Sequence, residues 1–361
     1  MKIGIIGLPN SGKTTVFNAL TGGTAETAAY SSGQLEPNLA TVKVPDERLN
    51  KLSEMYKPKK ITFADVQYID VAGLSGDRKG GGLPAAFLNY IAQVDALLHV
   101  VRAFEDATVP HPEESVNPAR DIETVDLELM FSDMAIIERR LQRIEPEIKK
   151  MTGKEKELRV QERDVLTRLQ AGLEQNTPIR DQGLSVDEEK LLRGFQFLSA
   201  KPLLIVLNVG EAQLNQDVAS TIEYQHQKAA VTQLAGKVEA EIAQLDEADA
   251  ELFLADLNIS EPARFRVIEQ SYNLLGLISF LTAGPDEVRA WPLRQNTPAV
   301  EAAGEIHSDI QRGFIRAEIV AFDDLMAAGS MTEAKKRGTV RMEGKTYIIK
   351  DGDICNYLFN V

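Results

Sequence analysis

Residues 7 to 14 read Gly7-Leu8-Pro9-Asn10-Ser11-Gly12-Lys13-Thr14 and match the pattern G-x-x-x-x-G-K-[ST]. An apolar run before them, residues 3–6, predicts a buried strand, and residues 15–20 predict a helix. Strand, glycine-rich turn and helix together form a cradle for the phosphates of a nucleoside triphosphate, with a lysine charge at the phosphates and a threonine hydroxyl on Mg²⁺. The predicted phosphate-binding residues are Asn10, Ser11, Gly12, Lys13, Thr14 and Thr15.

The composition of the chain narrows the classes of protein to consider. A chain of 361 residues with 43% hydrophobic residues is long enough for about two or three packed domains. The single cysteine excludes an internal disulfide and suits a reducing cytosol, and no apolar run predicts a leader or a membrane span. A net charge of −14 disfavours non-specific binding to nucleic acid. We expect a cytoplasmic protein without a membrane partner.

Strand and helix patterns alternate over the first part of the chain, which predicts an α/β fold with a mostly parallel sheet and helices on both faces. The predicted strands are 2–7, 39–44, 64–69, 96–102, 202–208 and 229–234. The third strand ends in Asp70 and is followed by Gly73 and Leu74. In P-loop proteins an aspartate at this place positions Mg²⁺, and the glycine N–H meets the terminal phosphate. Leu74 stands where a Ras-like GTPase carries a water-orienting glutamine, so another group must take that part.

The segment that reads the base is Asn208-Val209-Gly210-Glu211, where GTPases carry N-K-x-D. The aspartate of that motif accepts two hydrogen bonds from guanine. Glu211 is one methylene longer, and Val209 replaces the lysine stem. Without that acceptor geometry the site loses its basis for rejecting adenine, so we favour ATP over GTP. A second base-side loop with small residues, Ala235 and Gly236, follows the last strand.

An insertion follows the fourth strand and reads as a helical hairpin. Apolar residues recur at alternating spacings of three and four, which predicts a coiled-coil seam. The seam residues are Leu127, Met130, Met134, Ile137, Leu141, Ile144, Ile148 and Met151. A stop at Thr152-Gly153 precedes a second helix with Leu158, Val165, Leu169 and Leu173 on one face. Pro146 is expected to kink the first helix. The insertion is either a packed helical subdomain or a projecting arm that binds a partner.

From about residue 280 the pattern changes to short strands with Gly, Pro and Asp turns and one helix, which predicts a compact α+β module. The predicted strands are 278–281, 288–293, 313–320, 339–342 and 347–349, and the predicted helix is 299–310. The basic runs Lys57-Pro58-Lys59-Lys60 and Lys335-Lys336-Arg337 are candidates for local RNA contact, and solvated loops are the alternative.

These motifs resemble the YchF subfamily of Obg-type P-loop proteins, the Obg-like ATPases. The resemblance spans essentially the whole chain and is most specific at Arg312-Gly313-Phe314-Ile315-Arg316-Ala317-Glu318 and at Asp351-Gly352-Asp353. It implies a nucleotide-binding domain over 1–123 and 200–278, a coiled-coil insertion over 124–199 and a ubiquitin-like TGS domain over 279–361. It also implies an Mg²⁺-dependent, ATP-preferring hydrolase that associates with the ribosome and acts in translation or stress responses.

Two residues extend the expected site. Gln34 stands where the family's first switch commonly has a threonine that ligands Mg²⁺, and its amide oxygen is a possible replacement ligand. His111 lies in a turn-rich stretch between two prolines where the family carries a histidine, and it is a candidate to orient the attacking water, with a surface-loop histidine as the alternative. The predicted catalytic set is Lys13, Gly73 and His111, and the predicted metal set is Thr14, Gln34 and Asp70. A GTPase with a degenerate base motif and a ribosome-binding scaffold with negligible turnover remain alternatives.

Overall fold

The computed structural model describes residues 1–23, 37–70 and 85–360 of the chain. The chain divides into two compact units, one formed by Met1–Ala40 and Gln67–Val267 and the other by Thr41–Val66 and Ile268–Val361. The segment Thr41–Val66, which the sequence analysis placed with the nucleotide-binding domain, thus belongs to the same unit as the C-terminal module. The predicted three-domain division stays a prediction.

A mostly parallel sheet organises the first unit, as predicted. Its strands are β1 (Lys2–Ile6), β2 (Asn38–Lys43), β4 (Asp65–Asp70), β5 (Ala96–Arg102), β6 (Leu203–Asn208) and β7 (Ala229–Leu234). They lie in the order β2-β4-β1-β5-β6-β7, and the pairs from β4 to β7 are parallel. Every residue of β5 and β6 is buried, because helices cover both faces of a parallel sheet. The six predicted strands are confirmed to within one residue at each end.

The register of this sheet brings the ends of its strands to one edge. Ile5 pairs with Asp70, Arg102 pairs with Asn208, and Asn208 pairs with Leu234. In a parallel sheet the carboxyl ends of the strands meet at the same edge, and ligands bind in the loops that follow. The phosphate loop, Asp70 and the Asn208 segment therefore belong to one edge.

The helices of the first unit cover this sheet and build the insertion. They are α1 (Lys13–Thr21), α3 (Ala85–Ala92), α4 (Pro118–Ile148), α5 (Gly153–Leu173), α6 (Val186–Leu192), α7 (Gly236–Ile242) and α8 (Glu247–Asp256). A further helix, α9 (Ala263–Leu274), crosses the division between the two units. Among the described residues, no helix combines the length and the apolar character that a membrane span requires.

The predicted hairpin is formed by α4 and α5, which pack against each other. The seam is confirmed at Met130, Ile137, Ile144 and Ile148, which are buried. Pro146 lies in the last turn of α4, which continues to Ile148, and the predicted kink there stays a prediction. A proline there removes only one of the final hydrogen bonds of the helix.

The predicted position of Leu158 on the buried face of the hairpin is wrong, since this side chain is 54% exposed. About one turn further from the tip of the hairpin, the seam holds ion pairs instead of apolar side chains. The buried carboxylate of Glu162 accepts hydrogen bonds from Arg140 at 2.6 Å and Arg159 at 2.6 Å, and Arg140 also contacts Glu147 at 2.9 Å. Leu158 lies beyond this network, toward the turn that connects the two helices.

One buried carboxylate joins the hairpin to the segment that leads into β6. Asp133 of α4 accepts hydrogen bonds from the Leu198 N–H at 2.8 Å, the Ser199 N–H at 2.7 Å and the Ser199 hydroxyl at 2.6 Å. Its side chain is fully buried, and burial raises the pKa of the carboxyl to about 6 although the three donors act in the opposite direction. A buried carboxylate with three donors fixes the middle of α4 against the segment that precedes β6.

The second unit contains a second six-stranded sheet in the described residues. Its strands are β3 (Lys60–Thr62), β8 (Leu277–Ala283), β9 (Glu287–Arg294), β10 (Phe314–Ala321), β11 (Arg341–Glu343) and β12 (Asp353–Phe359), in the order β11-β10-β12-β8-β9-β3. Its helices are α2 (Glu47–Tyr56), α10 (Ala299–Ile306), α11 (Ser308–Arg312), α12 (Phe322–Ala328) and α13 (Met331–Lys336). The core of this unit is built around the rings of Phe280, Phe314 and Tyr357, which meet edge to face.

Three expectations for this unit need correction. Residues 347–349 form only an isolated bridge, between Ile348 and Pro298, and the last strand is β12. The predicted helix over 299–310 breaks at His307, whose extended backbone ends α10 and whose Nδ1 accepts a hydrogen bond from the Asp309 N–H at 3.2 Å to begin α11. The short strand β3 was missed, because three residues carry too little pattern to be recognised.

We predict that Asp133→Ala lowers the free energy of unfolding by about 3 kcal/mol, because it leaves three buried donors without an acceptor. The measurement is urea denaturation of both proteins, followed by far-ultraviolet circular dichroism, to which the long helices α4 and α5 of the first unit contribute strongly. Asp187→Ala is the matched control, since Asp187 is 84% exposed and its pair with Lys190 contributes little. A loss below about 1 kcal/mol for Asp133→Ala would contradict the role given to this carboxylate.

Candidate functional site

The turn between β1 and α1 has a backbone that only small residues permit. Gly7 and Gly12 have φ angles of 147° and 90°, and Asn10 has a φ of 60°. A Cβ atom on Gly12 would lie 2.2 Å from the Asn208 side-chain nitrogen, and one on Gly7 would lie 2.3 Å from the Val100 carbonyl oxygen. The predicted phosphate loop is therefore held in a curled conformation by two close approaches as well as by its own dihedral angles.

Lys13 folds back over this turn. Its Nζ donates to the carbonyl oxygens of Leu8 at 2.9 Å and Gly7 at 3.2 Å, and the side chain is buried. Burial lowers the pKa of Lys13 to about 8, and the negative charge of Asp70 partly offsets that effect. Because both carbonyl partners are neutral, a nearby anion would stabilise the charged lysine further.

The loop also holds polar groups that suit a polyphosphate. The Ser11 side-chain oxygen is buried and has no hydrogen-bond partner among the described residues, which makes it available to a phosphate oxygen. Gly12 precedes the first turn of α1, so the partial positive charge of the helix N-terminus faces the same region. Thr15 follows in α1 and is half-buried.

Thr14 and Asp70 form the metal-side pair. The Thr14 hydroxyl donates to Asp70 Oδ2 at 2.8 Å, and Asp70 is buried at the end of β4. A hydroxyl and a carboxylate are hard oxygen donors, which suit Mg²⁺ bound chiefly through phosphate oxygens and water. Among the described residues no cluster of three or more His, Cys, Asp or Glu side chains forms a separate metal site. The predicted contributions of Gly73 and Gln34 lie outside the described residues.

A buried asparagine joins the phosphate loop to the base side of the site. Asn208 Nδ2 donates to the Ser11 carbonyl oxygen at 3.0 Å, and Asn208 Oδ1 accepts from the Gly236 N–H at 3.0 Å. One amide thereby fixes both predicted loops, and Ala235 is buried beside it. Sequence reasoning placed Asn208 at the site but did not show that it bridges the two loops.

The two replaced positions of the base motif have different surroundings. Val209 is buried in the hydrophobic cluster of the first unit, with Leu207 and Val238. Glu211 is exposed and begins a short 3₁₀ turn. The carboxylate of Glu211 is therefore at the surface of the base-side region. Val209, which stands where the motif has a lysine, provides no long side chain there.

The loop after β5 carries His111 and is built around a buried arginine. Arg102 donates to the carbonyl oxygens of Phe104 at 3.1 Å, Asp106 at 3.1 Å and Val109 at 2.9 Å. The Asn10 side chain donates to the Pro110 carbonyl oxygen at 2.9 Å, so the residue before His111 contacts the phosphate loop. The sequence signal for this arrangement is an arginine at the end of a mostly apolar strand.

The structure brings His111 beside the phosphate loop, but its side chain is only 5% exposed. Its Nε2 lies 3.0 Å from Asp121 Oδ2, and its Nδ1 accepts a hydrogen bond from the Glu113 N–H at 3.1 Å. The surface-loop alternative is therefore wrong for the imidazole itself, because the loop folds it against α4. Asp121, which the sequence analysis did not include in the site, is its partner.

His99 is the other histidine near this region. It is fully buried in β5, and burial lowers its pKa to about 4, so it is neutral at physiological pH. A neutral imidazole in an apolar strand is a core residue and adds no charge to the site.

Comparison with known proteins agrees with this geometry. A family model described as "50S ribosome-binding GTPase" matches residues 2–158, and the model YchF-GTPase_C, described as "Protein of unknown function", matches residues 277–360. The chain is 43% identical over 365 residues to a protein of Bacillus subtilis named "Ribosome-binding ATPase YchF", with 99% of both chains covered. The chain belongs to the YchF family. It is a P-loop nucleoside triphosphatase of the Obg type.

Two further relatives extend the YchF family likeness. The chain is 36% identical to "Obg-like ATPase 1" of rice, covering all of this chain and 92% of the relative. The solved structure "Structure of the Schizosaccharomyces pombe YchF GTPase" superposes with a TM-score of 0.85 at 32% identity, covering 99% of this chain and 97% of that one. The names of these YchF relatives include both ATPase and GTPase, so they do not fix the base.

We predict that nucleotide binding takes up a proton above pH 8. Lys13 has a pKa of about 8 in the free protein, and a bound polyphosphate restores the charged form. Linkage then lowers nucleotide affinity by up to about tenfold per pH unit above that value, whereas affinity is flat below it. The terminal phosphate is already deprotonated over this range and does not contribute.

Calorimetry in buffers of different ionisation enthalpy measures the uptake directly at pH 7 and at pH 9. Lys154→Ala is a matched control because Lys154 is an exposed lysine of the hairpin, in the same unit. Equal proton uptake at the two pH values would contradict the lowered pKa of Lys13.

Proposed function

We propose that this chain binds ATP with Mg²⁺, hydrolyses it to ADP and phosphate, and acts as a ribosome-associated switch in the cytoplasm. The observation that carries the choice of ATP is the Asn208 segment, where the structural asparagine is retained while the guanine-reading residues are replaced. Asn208 has a role that is independent of the base, since it joins two loops of the protein. The site thus keeps its architecture and loses the guanine-specific acceptor.

The residues of the chain suit in-line attack of water on the γ-phosphate. Water forms a bond to the γ-phosphorus as the bond to the bridging oxygen of ADP breaks, and the proton that the water loses passes to an oxygen of the phosphate product. Lys13 and the amides of the loop stabilise the charge on the phosphate oxygens. The Thr14 hydroxyl would hold Mg²⁺ and Asp70 would position it, and the ion would supply positive charge to the phosphate oxygens. Gly73 is proposed to contact the terminal phosphate, and Gln34 to supply a further oxygen ligand.

The ribosome is proposed as the partner because relatives of the chain are named ribosome-binding and residues 2–158 match a family model described as a ribosome-binding GTPase. A role in translation or stress responses is part of this proposal. RNA contact through the two basic runs stays a prediction, and carboxylates compensate part of the charge of each run. Lys335 and Lys336 contact Glu318 at 2.8 Å and Glu333 at 3.6 Å.

The other basic run is compensated in the same way. Lys59 contacts Asp286 at 2.8 Å, and Lys60 contacts Glu287 at 3.2 Å. Exposed ion pairs are weak, but each places a negative charge where a phosphate backbone would have to approach. In each run three basic side chains are set against two carboxylates, so the positive charge expected from the sequence is reduced at both surfaces.

We predict that ATP binds more tightly than GTP and that Glu211→Asp reduces this preference. The shorter carboxylate approaches the acceptor position that guanine requires, so GTP affinity is expected to rise several-fold relative to ATP. Paired titrations with non-hydrolysable ATP and GTP analogues at fixed Mg²⁺ measure both affinities. Glu211→Gln is the matched control, since it keeps the length and removes the charge. If wild-type protein binds GTP tenfold tighter than ATP, a difference of about 1.4 kcal/mol, the choice of base is wrong.

We predict that His111→Ala lowers kcat for ATP at least tenfold and leaves the ATP dissociation constant nearly unchanged, because the imidazole acts on water and not on the nucleotide. Single-turnover hydrolysis and equilibrium binding separate the two quantities. His307→Ala is the control, because His307 is exposed and belongs to the second unit. An unaltered kcat in His111→Ala would remove His111 from the mechanism. If the wild-type protein hydrolyses no ATP either with or without ribosomes, only the scaffold alternative is left.

A further inference from the structure

The position of His111 in the structure is not one from which it can orient water. Glu113 donates its N–H to Nδ1, so that nitrogen is an unprotonated acceptor. The proton of the neutral ring is therefore on Nε2, which donates to Asp121 Oδ2 at 3.0 Å. Both ring nitrogens are engaged and the side chain is buried, so neither nitrogen has a site for a water molecule.

The carboxylate that holds the ring is itself firmly fixed. Asp121 lies in the first turn of α4, where the helix N-terminus favours a negative charge, and its side chain is 3% exposed. Its second oxygen accepts two hydrogen bonds from Arg120, at 2.8 Å and 3.0 Å. Arg120 in turn donates to the Ser115 hydroxyl at 3.0 Å and to its carbonyl oxygen. Arg120 thereby compensates the charge of Asp121 and links it to the same loop that carries His111.

The loop that carries His111 is attached at two points. The Asn10 contact with the Pro110 carbonyl joins it to the phosphate loop on one side, and Asp121 joins it to α4 on the other. A movement of the imidazole toward the γ-phosphate must break the bond to Asp121, whereas the Asn10 contact can remain. The strength of a charge-assisted hydrogen bond thus opposes that movement.

We infer that Asp121 is a latch, a positioning residue that holds His111 in a resting position and limits the rate of hydrolysis. This inference rests on the proposed function, because it assigns regulation to the same site. Release of the latch exposes a ring nitrogen to water, and the population of released histidine sets the fraction of protein that is competent for hydrolysis. Asp121 acts through His111 and does not touch the nucleotide.

The test is ATP turnover by Asp121→Asn, by His111→Ala and by the double variant. In Asp121→Asn a neutral amide replaces the carboxylate, which weakens the bond to Nε2 and leaves a poorer partner for Arg120. The kcat of this variant is therefore expected to rise at least threefold with unchanged ATP affinity. The double variant is expected to hydrolyse ATP as slowly as His111→Ala alone. Ser115→Ala is the control, since it removes one contact of Arg120 and leaves the latch; its kcat is expected to match the wild type.

The outcomes separate the latch from the proposed function. Suppose that the wild type hydrolyses ATP and that His111→Ala is slow. A folded D121N protein whose kcat is equal to or lower than that of the wild type then overturns the latch, and the ATPase proposal stands. If the wild type hydrolyses no ATP, the proposed function fails first. A gain in D121N that persists in the double variant also overturns the latch, because it does not pass through His111.

A second measurement uses the unchanged protein, in case D121N fails to fold. Nitrogen-15 NMR of the imidazole rings distinguishes the two neutral tautomers, and His111→Ala assigns the signal among the four histidines of the chain. The latch requires the Nε2–H tautomer for His111 in nucleotide-free protein. An Nδ1–H tautomer would overturn it, because Nε2 would then have no proton to donate to Asp121.

Discussion

The site depends on one buried side-chain amide. Asn208 uses its donor for the Ser11 carbonyl and its acceptor for the Gly236 N–H, and so fixes the phosphate loop and the base-side loop to the same strand end. Gly12 has no side chain because that amide occupies the space a Cβ would need. Satisfying both halves of a buried amide stabilises the arrangement, whereas losing one half leaves an unpaired polar group. The geometry of both loops therefore follows from β6.

The free protein already contains the polar contacts that a nucleotide would take over. Lys13 donates to loop carbonyls, and Thr14 donates to Asp70. These pairs keep buried polar groups satisfied without a ligand, and each can be exchanged for a phosphate oxygen or a cation at little cost in hydrogen bonds. The lowered pKa of Lys13 shows that its charge is incompletely compensated in the free protein, since burial still outweighs the charge of Asp70.

Away from the candidate site, charged side chains form ion pairs within each unit. In the hairpin the ion pairs around Glu162 take the place of apolar seam residues, and in the second unit Arg48 joins Asp46 at 2.8 Å to Asp351 at 2.7 Å. Asp351 also accepts the Ser279 N–H at 2.8 Å, so part of the specific Asp-Gly-Asp motif has a structural role. Removal of one partner from such a pair would leave the other charge uncompensated.

The sequence by itself determined the parallel sheet, the phosphate loop and the hairpin, because each depends on a local pattern of apolar residues or on a motif that acts through its own backbone. It also placed Asp70 and Asn208 at strand ends, and Lys13 and Thr14 after the loop that follows a strand end, so that a parallel sheet must gather them at one edge. Only the tertiary structure decided what surrounds His111, Leu158 and the basic runs. Their surroundings depend on residues elsewhere in the chain: Asp121 beside His111, the ion pairs of Glu162 near Leu158, and Glu318 beside Lys335. A local sequence pattern carries no information about which side chains the fold brings together.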